Sequence, residues 1–91
     1  MFKYLIPVQD EPTTLQLPVG ATIVEAGVQR PGFGQVAHEI SLWAEVPTRD
    51  ERTTRRTFTV IGTGHEIPHR GAHVGTVLDG AFVWHVYEVP L

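Results

Sequence analysis

The sequence has no cysteine, which excludes disulfides and thiolate metal sites and gives no sign of an oxidising compartment. A structural zinc would have to be held by histidine and carboxylate alone, an uncommon donor set for such sites. Serine is nearly missing too. Ser41 is the only one, it lies in a strand-like run, and no G-x-S-x-G elbow surrounds it, so a serine nucleophile has no setting. No apolar run approaches the ~18 residues that a membrane helix needs. Residues 1–8 are apolar but short, Pro7 interrupts them, and Asp10 and Glu11 follow where a cleavage region would lie, so no signal peptide is expected. A cytoplasmic location without a membrane partner is the resulting expectation. A basic surplus is also lacking. The formal net charge is −3, whereas general nucleic-acid binding needs a basic face to neutralise phosphates.

What is present is a chain of 91 residues, 42% of them hydrophobic, enough for one domain with an apolar core over residues 1–91. The hydrophobic period is two nearly everywhere, the signature of strands. Phe2, Tyr4, Ile6 and Val8 alternate, with Pro7 marking an edge or a strand end. Leu15 and Leu17 alternate before Pro18 and Gly20. Residues 22–29 set Val24, Ala26 and Val28 on one face, and residues 36–46 set Ile40, Leu42, Ala44 and Val46 on one face. That second run also allows a short helical turn, although alternation fits it better. Residues 47–53 are polar, so the strands on either side are expected to pair as a hairpin. The returning run has Phe58 and Val60 inward and Thr57 and Thr59 outward.

Residues 74–78 and 81–89 are the last two strands, joined at Asp79-Gly80, a dipeptide suited to a two-residue turn. The final strand is apolar on both faces, with Phe82, Trp84 and Val86 on one and Val83, Tyr87 and Val89 on the other. Such a strand is buried on both sides, which argues for a central position or for packing against a second copy of the chain. The expected fold is all-β and mostly antiparallel. It is a compact small sandwich or partly open barrel of about six to seven strands, with at most a short helical turn.

Several strings invite a chemical reading. His65-Glu66-Ile67-Pro68-His69 matches H-E-x-x-H, a motif that works only when a helix sets both histidines on one face. A proline inside that helix costs about 3 kcal/mol and each flanking glycine about 1, so the zinc-protease reading fails. His65, His69 and His73 remain a possible loop metal site, but hydrogen bonding to nearby backbone is the more ordinary use of loop histidines. Glu39 and Glu45 are about 20 Å apart at strand rise, too far to cooperate as an acid–base pair. Gly62-Thr63-Gly64 follows a strand but lacks the third glycine and the helix of a dinucleotide fingerprint.

Backbone N–H groups in a glycine-rich turn nonetheless form an anion nest without a helix. With His65, His69 and Arg70 nearby, the loop over 62–70 is the best-equipped anion receptor in the chain. Six of the seven basic residues are arginine, and Arg49, Arg52, Arg55 and Arg56 fall within eight positions. The arginine fork suits phosphate and carboxylate, although Asp50 and Glu51 among them also fit a solvated loop of mixed charge.

Lys3-Tyr4, Leu17-Pro18-x-Gly20-Ala21, Leu42-Trp43-Ala44-x-Val46, Gly62-Thr63-Gly64-x-x-Ile67-Pro68 and Phe82-Val83-Trp84-His85-Val86-Tyr87-Glu88 together resemble a family of small proteins encoded mainly by bacteriophages and prophages, a domain of unknown function. The likeness spans almost the whole chain. It implies a compact β fold and a role in the infected cell rather than the virion, and it brings no established activity. It does not require histidine or glutamate at the positions of His65, Glu66 and His69, which weakens a metal reading further.

The expected function is therefore non-enzymatic binding, with no cofactor and no metal. In this reading a homo-oligomer sequesters a nucleotide-like anionic ligand, a counter-defence activity in the host cytoplasm. Gly62, Thr63, Gly64, His65, His69 and Arg70 hold the anion, Arg55 and Arg56 assist, and Trp43 or Trp84 stacks a base. The alternatives are an inhibitor or adaptor of a host protein acting through a sheet edge, a small metal-dependent hydrolase, and a minor virion or assembly component.

Overall fold

The computed structural model describes residues 1–28, 39–46, 52–64, 71–80 and 82–90. The described residues form seven strands: β1 (Phe2–Pro7), β2 (Thr13–Pro18), β3 (Thr22–Val28), β4 (Glu39–Glu45), β5 (Thr53–Gly62), β6 (Ala72–Asp79) and β7 (Phe82–Val89). They form a three-stranded sheet in the order β1-β4-β3 and a four-stranded sheet in the order β2-β5-β7-β6, and every pairing is antiparallel. The architecture is a small β-sandwich of two open sheets. Among the described residues there is no helix, and so none long and apolar enough to cross a membrane.

Period-two alternation accounts for the core. Ile40, Leu42 and Ala44 of β4 are fully buried, opposite Ile6 of β1 and facing Leu17, Phe58, Val77 and Val86 of the other sheet. Burying one aliphatic or aromatic side chain of this size is worth ~1.5–3 kcal/mol. Pro7 closes β1, which is an edge strand, so its missing N–H leaves no gap between paired strands.

Three expectations need correction. The strands flanking residues 47–53 do not form a hairpin: β4 pairs with β1 and β3, while β5 pairs with β2 and β7. A polar link can cross between sheets as readily as it can turn within one, and composition does not separate the two. In β3 the register shifts between Ile23 and Glu25. This bulge turns Val24 outward, 46% exposed, and leaves Ile23, Ala26 and Val28 against the core. The β6–β7 turn is also offset by one residue. Asp79 pairs with Phe82, so the two-residue connection is 80–81, with Gly80 at φ 59°.

Among the described residues, the two sheets come close where β6 passes β3. A Cβ placed on Gly75 would lie 3.1 Å from the Ala26 Cβ, and a Cβ fixed to a strand backbone cannot swing away. The register of β6 shifts beside it, between His73 and Gly75. Gly75→Val is expected to cost about 1–3 kcal/mol through overpacking. Gly27→Ala, where a Cβ meets nothing within 4 Å, is expected to be neutral or slightly stabilising. Urea midpoints of the two variants check this, and equal losses would show that the inter-sheet contact at Gly75 is not tight.

β7 is internal to the four-stranded sheet. Val86 is buried in the core and Trp84 packs against it, while Val83, Tyr87 and Val89 on the opposite face are half-buried within the single chain. Burial alone therefore no longer demands a second copy to cover them.

Candidate functional site

The link between β1 and β2 passes the end of β5 and the start of β7, and together they line a cavity of about 540 Å³. Its described walls are Val8, Gln9 and Asp10 of the link, Val60, Gly62 and Thr63 from β5 and its exit, and Phe82, Val83 and Trp84 of β7. That volume lies within the range of small-molecule sites, roughly 300–1,000 Å³. Phe82 and Trp84 share a strand face because they are two residues apart. Their rings stack with centroids 5.7 Å apart and planes 10° apart. The indole is held from behind, Trp84 Nε1 donating to Asp79 Oδ2 at 3.4 Å, with Asp79 only 2% exposed. Phe82 remains 48% exposed, so the stack ends on an open aromatic surface.

The polar groups have a definite sense. Gln9 Nε2 donates to the Glu11 carbonyl at 3.2 Å and to Thr13 Oγ1 at 3.5 Å. A carbonyl only accepts, so the amide nitrogen must face it and Oε1 is left to accept from elsewhere. Asp10 beside it is exposed and is the one acidic or basic side chain among the described lining residues.

Thr63 closes a chain of hydrogen bonds across the outward face. His73 Nε2 is 3.0 Å from Thr76 Oγ1, which is 3.1 Å from His85 Nδ1, and His85 Nε2 is 3.3 Å from Thr63 Oγ1. Thr63 donates onward to the Val83 carbonyl at 3.5 Å. With Thr63 donating to Val83, His85 Nε2 donates to Thr63, and the directions of the other two bonds follow the tautomers of His85 and His73. The His73 ring also meets Tyr87 edge-on at 5.4 Å.

The residues expected from sequence divide into three groups. Gly62, Thr63 and Trp84 line the cavity, and Gly64 follows at φ 90°, a backbone conformation that favours glycine. Trp43, Arg55 and Arg56 are elsewhere. Trp43 is on β4 in the other sheet, with the Lys3 ammonium 5.4 Å from its ring centroid. Arg55 is exposed opposite Gln16. Arg56 is six residues from Gly62 along β5, about 20 Å at strand rise.

All three guanidinium nitrogens of Arg56 are also engaged. Its Nε and Nη2 donate to the two carboxylate oxygens of Glu88, both at 2.7 Å, and Nη1 donates to the Ala21 carbonyl. The hydrogen bond to Glu88, helped by the carboxylate charge, holds the guanidinium above its ordinary pKa against the lowering effect of burial. Arg56 is accordingly a structural clamp in this fold. His65, His69 and Arg70 lie outside the described residues. His73 belongs to β6 rather than to a loop, and no group of three or more metal-ligating side chains occurs among the described residues.

Sequence reasoning did not find Val8, Gln9, Asp10, Val60, Phe82 or Val83 as cavity residues. The Phe82-x-Trp84 spacing was a usable signal, since it puts two rings on one face. Gln9 and Asp10 had none, because only the tertiary path of the link brings them opposite β7. No curated protein and no solved structure matches the chain. The chain belongs to the family described as a domain of unknown function (DUF7352), whose model matches residues 1–91.

Proposed function

We propose that the protein is a non-enzymatic binding protein that holds a nucleotide-like ligand in the cavity between the β1–β2 link and the start of β7. The observation that carries this reading is the parallel Phe82–Trp84 pair on the wall of a cavity large enough for a mononucleotide. Base–aromatic stacking contributes about 1–3 kcal/mol per base, and the fixed indole loses little freedom on binding. The glycine turn at 62–64 stands at the same cavity, and its backbone N–H groups suit the anionic end of such a ligand. With the resemblance to phage and prophage proteins, the reading puts the protein in the infected cell, where withdrawing a nucleotide signal would blunt a host response.

Titration calorimetry against nucleoside monophosphates and cyclic nucleotides tests it. Trp84→Ala is expected to weaken binding by about 10-fold or more, whereas Trp43→Phe leaves it unchanged. Absence of heat with every nucleotide tried would sink the proposal.

A further inference from the structure

Among the described residues, the cavity's side-chain acceptors lie on one wall. Asp10 carries a carboxylate, which only accepts, and Gln9 keeps its Oε1 for accepting because its amide nitrogen is committed to Glu11 and Thr13. Side-chain donors on the opposite wall are used internally: Trp84 Nε1 goes to Asp79 and the Thr63 hydroxyl to Val83. The β1–β2 link therefore offers a ligand two adjacent acceptors, one of them charged, beside a stacked aromatic surface.

Resting on the reading above, we infer that the base held in this cavity is guanine, its N1–H and 2-amino group donating to Asp10 with Gln9 Oε1 as a further acceptor. Among the common bases guanine alone has two adjacent donors on its pairing edge, the pattern that a carboxylate accepts in bidentate fashion. Adenine and cytosine pair one amine with a ring nitrogen that would face the carboxylate lone pair to lone pair. Uracil flanks its single N–H with two carbonyls, which the carboxylate repels. Asp10 is exposed, so the discrimination comes from the pairing itself, two charge-assisted hydrogen bonds to guanine against lone-pair repulsion with the other bases. The side-chain acceptors and the aromatic face thus select the base, and the glycine turn is left for the ligand's phosphate.

The experiment compares the 5′-monophosphates of guanosine, inosine, adenosine, cytidine and uridine by calorimetry on the wild-type chain and on Asp10→Asn. Guanosine monophosphate is expected to bind at least about 10-fold tighter than the adenosine, cytidine and uridine compounds. Inosine monophosphate, lacking the 2-amino group, should fall between them. Asp10→Asn should lower guanosine affinity by about 10-fold or more and raise adenosine affinity, because the amide offers a donor to adenine's ring nitrogen and an acceptor to its amine. Asp10 is exposed, so the variant is expected to fold, and circular dichroism confirms that. Adenosine binding as tightly as guanosine, inosine equalling guanosine, or a preference that survives Asp10→Asn would overturn the inference while leaving the stacking site in place. No binding by any of the five would remove the nucleotide reading itself.

Discussion

Phe58→Ala is expected to remove about 3–5 kcal/mol of folding stability, a large part of the ~5–15 kcal/mol that a domain of this kind possesses. Phe58 is 1% exposed and is the largest fully buried side chain among the described residues. It lies on β5, which is internal to the four-stranded sheet between β2 and β7. Its ring fills the space between the sheets near Leu17, Val86 and the β4 residues, and the Arg56 guanidinium carbon lies 5.8 Å from its centroid. Alanine would leave a cavity that a sandwich of paired strands cannot collapse to fill, because moving one strand breaks ladders on both of its sides. Each kcal/mol lowers the melting temperature of a small domain by about 4–8 °C. A fall of roughly 12–40 °C is therefore expected for Phe58→Ala, and a much smaller one for Phe58→Leu, which keeps most of the volume. Urea denaturation followed by circular dichroism measures both. A loss under about 1 kcal/mol for the alanine variant would mean that the ring is not where the packing places it.

The core was legible because burial on a strand repeats every second residue. Ile40, Leu42 and Ala44, and Phe58 with Val60, follow from alternation alone, and the structure puts them inward. Val24 did not follow, since a bulge adds one residue to one strand and reverses the facing of what precedes it. Pairing was the least legible layer. Nothing in the polar run after Val46 distinguishes a hairpin from a crossing to the other sheet; the choice depends on which edges β2 and β7 have already filled. The candidate site divides on the same line. Gly62, Thr63 and Trp84 were visible as a turn and an aromatic, whereas Gln9 and Asp10 become wall residues only through the way two distant segments meet. The arginines illustrate the converse. Clustering in sequence suggested a shared patch, but strand alternation sends Arg55 and Arg56 to opposite faces, and only one of them has a partner that the structure defines.

That partner sets the second large effect. Removing either side of the Arg56–Glu88 pair is expected to cost about 1.5–3 kcal/mol, the range for hydrogen bonds to charged groups. The two side chains are 21% and 28% exposed, so the loss should sit below that of a fully buried ion pair. Through one guanidinium, β5 is tied to β7 at Glu88 and to the β2–β3 link at Ala21. The clamp therefore reaches the strand connection that passes from one sheet to the other. Arg56→Lys keeps the charge but can neither grip two carboxylate oxygens in parallel nor reach Ala21 at the same time, and it should recover less than half of the loss.

In a double-mutant cycle with Arg56→Ala and Glu88→Ala, the double variant should lose less than the sum of the singles by about 1–2 kcal/mol. The pH dependence has a fixed sign. A guanidinium whose folded pKa is raised contributes stability that is complete below its ordinary value and fades only as pH climbs through the folded one. The stability difference between wild type and Arg56→Ala is thus expected to stay level from pH 7 to about pH 10. Urea titrations at three pH values across that interval measure it. A difference that shrinks on the alkaline side, or a cycle with no coupling, would mean that Arg56 is not the strut between these strands and would restore it as a candidate for binding a ligand.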